Sequence, residues 1–362
     1  MSRVNNTIQY TPKRIYQIDL FRLLAAISVV LYHYLFRGYM ADDLSKLNFS
    51  EIGHYFKYGY LGVDLFFIIS GFVIALSIKS RSLIDFCISR VSRLYPAYWL
   101  CVLLTATIIF CFGAPRFSVN LKQILLNMTM FQNYLRVKSI DGSYWSLFVE
   151  MKFYIFIIGS YLIINKIREF KLDYLIYTWL ILSILYLPFR HLFAFQLLEY
   201  IFILEWSSYF IAGILFYQIY SDAVNTKYII LLSIAFSLSV FHAILRTEIL
   251  ENLYNTDFSP IYITTYILIF YLAMFLVASG KMQWLNSPRL IKLGLLTYPL
   301  YLIHQNIGFV IFNTLGNESN KYLLVILTVA FMLFLSYLIS TFYEFRISKY
   351  LKGKLKSLLS SE

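Results

Sequence analysis

Long apolar runs, each interrupted by a few ionisable residues, recur from one end of this chain to the other. Ten of them have the ~17–25 residues that a helix needs to cross a bilayer. They lie near residues 18–36, 59–78, 94–113, 144–164, 172–189, 200–220, 227–245, 261–279, 293–315 and 321–343. The run at 172–189 is the weakest, being short and opened by Asp173. The pattern predicts an all-α fold: a polytopic membrane helical bundle of about ten transmembrane helices.

Composition supports this reading. The chain is 60% hydrophobic and 14% charged, whereas a soluble domain is ~25% charged. Its mean hydropathy is +0.68. Since the apolar runs extend end to end, residues 1–362 are expected to form a single integral membrane domain. A polar segment, 1–17, opens it and a basic tail, 344–362, closes it. The opening segment lacks a small-residue cleavage site, so the first apolar run is expected to remain as a helix. Cys87, Cys101 and Cys111 have neither metal-ligand spacing nor a disulfide framework.

The net charge of +12 does not require nucleic acid. Lysines and arginines are biased toward the segments that share a side with the two termini. This places both termini in the cytoplasm of a multi-pass protein of the cell membrane, bacterial inner or plasma membrane. The long 114–143 loop goes against the bias and is expected outside. The tail RISKYLKGKLK, 346–356, suits anionic lipid headgroups. There is no internal repeat and no loop beyond about thirty residues, so any chemistry is expected in the bundle or at its mouths.

The first run, IDLFRLLAAISVVLYHYLF, carries Asp19, Arg22 and His33. A charge near the bilayer centre costs at least ~2.5–3.5 kcal/mol, so a partner or a function must compensate. Eleven residues separate Arg22 from His33. Eleven steps of 100° return to within about 20° of the start, roughly 16 Å along the axis. The two side chains share a face, with Asp19 one turn below Arg22 at pairing distance. Such a stripe must face the bundle interior. In GYLGVDLFFIISGFVIAL, 59–76, Gly59, Gly62, Ser70 and Gly71 allow close helix approach. Asp64 is expected at the depth of His33, where a carboxylate can orient an imidazole.

Further along, RVSRLYPAYWL, 90–100, offers Arg90 and Arg93 one turn apart, with Pro96 at an expected helix start. Paired arginines grip phosphates, although two positive-inside anchors explain them as well. SYWSLFVEMKFYIF, 143–156, adds Glu150 and Lys152, which point to different faces. TYPLYLIHQNI, 297–307, brings Pro299 as a kink and His304 as an ordinary core histidine. His54, His191 and His242 read as loop or boundary residues, and no spacing suggests a metal.

Together these elements resemble the acyltransferase 3 family, integral membrane proteins that move acyl groups onto extracytoplasmic carbohydrates and related acceptors. The resemblance rests on Arg22-x10-His33, GVDLFFIISGF at 62–72, RVSRLYP at 90–96, YWSLFVEMKFY at 144–154 and TYPLYLIHQ at 297–305. Two positions depart from the family pattern: Met151 stands where members often carry a second carboxylate, and YEFR, 343–346, lacks the closing proline. The resemblance implies ten core helices and an acyl-CoA donor, most often acetyl-CoA, arriving from the cytoplasm. The acceptor is then a hydroxyl on a carbohydrate or glycolipid such as a surface polysaccharide. On this reading His33 is the general base or takes the acyl group transiently, and Asp64 or Glu150 orients it. Arg90 and Arg93 grip the CoA phosphates, and Arg22 lines the channel between. Buried Asp, Arg, Glu and His would also suit a proton-coupled transporter, but no repeat or pair of interrupted helices favours one.

Overall fold

A computed structural model describes residues 14–41, 43–79, 82–167 and 169–359. The opening segment 1–17 is thus described only from Arg14, and the last three residues of the tail 344–362 also lie outside the described residues. Ten helices are long and apolar enough to span a membrane. They are α1 Tyr16–Met40, α2 Ser50–Ile78, α3 Leu83–Phe112, α4 Gly142–Ile167 and α5 Leu172–Phe189. After them come α6 Phe193–Asp222, α7 Thr226–Tyr254, α8 Pro260–Ala278, α9 Pro288–Leu315 and α10 Lys321–Leu359. The ten expected spans are therefore present in a multi-pass membrane bundle.

Loop contacts sort the helix ends onto two faces. On the near face, the Tyr16 N–H donates to Asn286 Oδ1 and Lys356 pairs with Asp85. On the far face, Lys57 Nζ donates to the Asp257 carbonyl and Lys46 N to Asn313 Oδ1. Helices α1, α2, α6 and α9 have the most deeply buried spans, and the remaining helices surround them.

The α2–α6 crossing is set by two glycines. A Cβ on Gly71 would lie 2.2 Å from the Phe210 carbonyl oxygen, and one on Gly213 would lie 2.0 Å from that of Ile68. These obstacles are backbone atoms, which cannot rotate away as a side chain does. Gly59 and Gly62 likewise sit against the Ser28 and Ala25 carbonyls of α1. Small residues let helix backbones approach when lipid supplies no hydrophobic drive for association.

Several expected boundaries are corrected. α3 already begins at Leu83, capped by the Ser82 hydroxyl, which accepts from Asp85 N at 3.1 Å. Arg90 and Arg93 therefore sit inside a helix rather than in a loop. Pro96 is also interior and deprives the Ser92 carbonyl of its helical donor. α6 is broken at Ile203, whose left-handed φ is +48°. The break frees carbonyls that two side chains cap: Lys152 Nζ donates to Tyr200 O at 2.7 Å and Trp179 Nε1 to Phe202 O at 2.8 Å. Lys152 also faces the Phe148 and Tyr200 rings at 4.7 and 4.1 Å, so it has a structural role and does not pair with Glu150. His242 is no boundary residue. It is buried within α7, stacked on Tyr186 at 6.0 Å. The expected tail is a continuation of α10, which passes through a π-helical turn at Ile339–Glu344 into the basic helix Phe345–Leu359.

Candidate active site

The wider turn of α1 comes at the histidine singled out in sequence. α1 changes from α to π geometry at His33–Arg37, a distortion frequent at functional sites. His33 is 5% exposed and His304, on α9, is fully buried. Their ring centroids lie 4.9 Å apart. His304 Nε2 is 3.1 Å from His33 Nδ1, which in turn is 2.9 Å from the Val29 carbonyl. His304 Nδ1 is 2.8 Å from the Tyr301 carbonyl.

These contacts assign the protons. A carbonyl only accepts, so His304 Nδ1 carries a hydrogen and its Nε2 presents a lone pair. By the same rule His33 Nδ1 carries a hydrogen, shared between Val29 O and His304 Nε2. His33 Nε2 is left with a lone pair and makes no hydrogen bond among the described residues. A neutral imidazole held by one nitrogen, with the other free to take a proton, is the arrangement a general base needs.

A second layer holds the pair. The Tyr34 hydroxyl donates to the His304 carbonyl at 2.7 Å, joining α1 to α9. The Ser143 hydroxyl lies 3.1 Å from the Tyr301 carbonyl and 2.7 Å from Asp141 Oδ1. Asp141 Oδ2 accepts from Asn306 N at 2.8 Å, and Asn306 Nδ2 donates to Ile140 O at 2.6 Å. Asp141 stands outside the spans. Burial pushes its carboxyl above the usual carboxylate range, against the opposing pull of the Ser143 and Asn306 hydrogen bonds. The 114–143 loop, expected simply outside, thus folds back so that its end braces α9 beside the histidines. Asn127 is the knot of that loop, accepting from Ile140 N at 2.9 Å while its amide donates to the Gln123 and Lys138 carbonyls.

Below the histidines lie two connected spaces. A cavity of about 890 Å³ opens on the near face. A narrower one of about 100 Å³ runs inward, lined by Arg90, Ser70, Glu150 and Tyr154 and reaching Ser146 and Tyr301. Arg22, Arg93 and Tyr298 line both and mark the neck between them. At the inner end the Ser146 and Tyr301 hydroxyls are 2.6 Å apart, and the Tyr301 ring lies 5.6 Å from that of His304.

The sequence-derived residues divide among these features. Arg22, Arg90, Arg93 and Glu150 do converge on one cavity. Arg22 is 3.9 Å from Asp19, which is more firmly held by Arg14 at 2.9 Å. Arg90 is buried and donates to Ser77 Oγ at 3.3 Å, so of the two arginines only Arg93 faces the wide mouth. Among the described residues, the expected carboxylate partner of His33 is not found. Glu150 accepts from Ser70 Oγ at 2.7 Å and from the Tyr154 hydroxyl at 2.5 Å. Asp64 pairs with Arg246 at 3.1 Å. The bonds that fix the His33 ring come instead from the Val29 carbonyl one turn back on α1 and, through α1–α9 packing, from His304.

Sequence reasoning passed over Arg246, Tyr301, Ser143 and Asp141, and read His304 as an ordinary core histidine. Arg246 was legible only as a charge just past the apolar run 227–245. The others look like common core or loop residues until the fold brings them together. Arg246 lies 3.9 Å over the Trp206 ring, and Trp206 is 5.1 Å from Trp145. Among the described residues, no group of three or more His, Cys, Asp and Glu side chains could hold a metal ion.

A histidine pair thus sits above a basic, inward-running cavity within a membrane bundle. The sequence profile of the acyltransferase domain (acyltransferase 3) matches residues 15–344, and the chain belongs to that family. It is similar to the peptidoglycan O-acetyltransferase OatA of Listeria monocytogenes, 29% identical over 173 residues covering 42% of this chain and 25% of that protein. The O-acetyltransferase OatA of Staphylococcus aureus is 27% identical over 197 residues, 49% of this chain and 29% of that protein. The exopolysaccharide production protein ExoZ of Rhizobium meliloti is 31% identical over 126 residues, 31% of this chain and 37% of that protein. The matched stretches thus span well under half the length of these relatives. No solved structure matches the chain.

Proposed function

We propose that the protein is a membrane O-acyltransferase that moves an acyl group, most simply acetyl, from cytoplasmic acyl-CoA to a hydroxyl of an extracytoplasmic or lipid-linked carbohydrate. One observation carries the reading. A wide basic mouth narrows past Arg22 and Arg93 into a cavity that ends at Tyr301, whose carbonyl holds the His304–His33 pair. The near face is taken as cytoplasmic from the lysine and arginine bias. Both termini then lie inside, and a cysteine placed in the tail should escape impermeant thiol reagents in intact cells.

The chemistry follows from the geometry. The nucleotide end of the donor stays in the mouth, and the pantetheine arm, slim and flexible, enters the neck. The acceptor hydroxyl approaches from the far face, where Trp145 and Trp206 offer apolar surfaces for a sugar ring. His33 Nε2 takes the hydroxyl proton as the oxygen attacks the thioester carbon. The new C–O bond forms, the C–S bond breaks, and the imidazolium returns the proton to the departing thiolate. Glu150, anchored by Ser70 and Tyr154, lines the arm's route and balances Arg22, whose charge it reaches.

Two measurements test this. Mass spectrometry of surface glycans from a deletion strain and its parent should show O-acyl groups lost on deletion. Purified Arg22→Ala and Arg93→Ala variants should bind acetyl-CoA more weakly, each by roughly tenfold or more, since a hydrogen bond to a charged group contributes ~1.5–3 kcal/mol. Unaltered glycans together with unaltered CoA affinity would contradict the reading. Saturable transport of a solute, with no acyl transfer, would favour the proton-coupled carrier instead.

A further inference from the structure

The basic end of α10 is read in sequence as a lipid-facing tail, yet one of its faces turns into the wide cavity. Phe345, Ser348, Lys349 and Lys352 all line that space. Their spacing of three, one and three residues is that of a single helical stripe. Four residues further along the same stripe, Lys356 pairs with Asp85 of α3 and pins the helix across the mouth. Lys292, at the start of α9, lines the same cavity.

Charge is lopsided here. Six basic side chains line the cavity against two acidic ones, Asp19 and Glu344. Asp19 is already held by Arg14 and Arg22, and Glu344 lies within electrostatic reach of Arg93. Lys292, Lys349 and Lys352 have no carboxylate within ion-pair distance among the described residues, and Asp85, which Lys352 reaches electrostatically, is already paired with Lys356. The three lysines therefore remain as surplus positive charge at the outer rim, while Arg22 and Arg93 stand at the neck.

An acyl-CoA donor carries its phosphates in a fixed order. Counting outward from the thioester come the pantetheine arm, then the diphosphate, then the adenosine with its 3′-phosphate. With the arm in the neck, the diphosphate falls beside Arg22 and Arg93. The 3′-phosphate falls at the rim. As a phosphomonoester it carries about −1.5 to −2 charge at pH 7, which suits two or three ammonium groups. On the strength of the acyl-CoA reading above, we infer that Lys349 and Lys352, with Lys292 opposite, hold the 3′-phosphate of the donor. The end of α10 thus acts as a selector for CoA over its dephosphorylated form. An anionic lipid headgroup offers similar phosphate chemistry, so the test separates the two.

The full chain, purified into phosphatidylcholine nanodiscs, is titrated with CoA and with 3′-dephospho-CoA. Wild type should bind CoA at least about tenfold more tightly, the factor that one or more charge-assisted contacts supply. The Lys349→Gln/Lys352→Gln variant keeps strong helix formers and the Lys356–Asp85 pair. It should lose most of that preference while binding 3′-dephospho-CoA as wild type does. A wild type that binds both ligands equally would overturn the inference and leave the donor reading standing. So would a double variant with its preference intact. If the variant matches wild type toward CoA but loses a thermal shift produced by adding phosphatidylglycerol, the lysines serve lipid, and the inference falls. A wild type that binds neither ligand would remove it together with the donor reading.

Discussion

His33→Ala should insert, fold and bind acetyl-CoA as wild type does, yet acylate its acceptor roughly 10²–10⁴-fold more slowly, the contribution of a positioned general base. The geometry behind this is specific. His33 Nδ1 is occupied by Val29 O and His304 Nε2, so only Nε2 is open to a substrate proton. His304 is then a positioning residue and not merely an ordinary core histidine. His304→Phe removes the acceptor that holds the His33 ring and should lower kcat. His304→Asn, which can restore an acceptor, should recover part of the loss, a rescue that a purely structural histidine would not show. Turnover of His33→Ala within about tenfold of wild type would eliminate it as the base.

Asp64→Ala should be the most destabilising single change in the outer half of the bundle. Asp64 is 2% exposed, and its carboxylate faces Arg246, whose side chain is 14% exposed and also donates to the Tyr209 hydroxyl at 3.3 Å. Removing the carboxylate leaves a buried guanidinium without its counter-charge, a loss of about 3–5 kcal/mol. Replacing both partners with apolar residues, as in Asp64→Leu/Arg246→Met, should recover much of that loss, because the pair's desolvation cost disappears with the pair. Melting of the detergent-solubilised protein reads both effects. The double variant also separates stability from chemistry. If it folds and binds acetyl-CoA but fails to acylate, the Arg246–Trp206 face serves the acceptor. If it turns over normally, Asp64 only holds α2 to α7. A single Asp64→Ala variant that melts with wild type would mean the pair contributes nothing to folding.

Much of this protein can be read from its sequence because the membrane imposes a one-dimensional constraint. Each crossing needs its own apolar length, so ten runs give ten helices with no knowledge of their packing. The same constraint makes intramembrane charges conspicuous. That is why Arg22, His33, Arg90, Arg93 and Glu150 could be singled out, and why four of them do line one cavity. Helix spacing also anticipated that Glu150 and Lys152 would part company. What the sequence could not supply was partnership across helices. His304 became the neighbour of His33 because α1 and α9 pack together, and Asp64 turned to Arg246, 182 positions away. The spacing rule that put Arg22 and His33 on one stripe holds only for a regular α-helix, and the π turn at His33–Arg37 ends it at the histidine. The basic tail reads as a membrane anchor in isolation; packed on α3 and paired with Asp85, it turns its lysines into the wall of a cavity. Apolar length and helical period are properties of neighbouring residues in the chain. Side-chain pairing, tautomers and cavities depend on contacts between residues far apart in it, and those arise only once the bundle has packed.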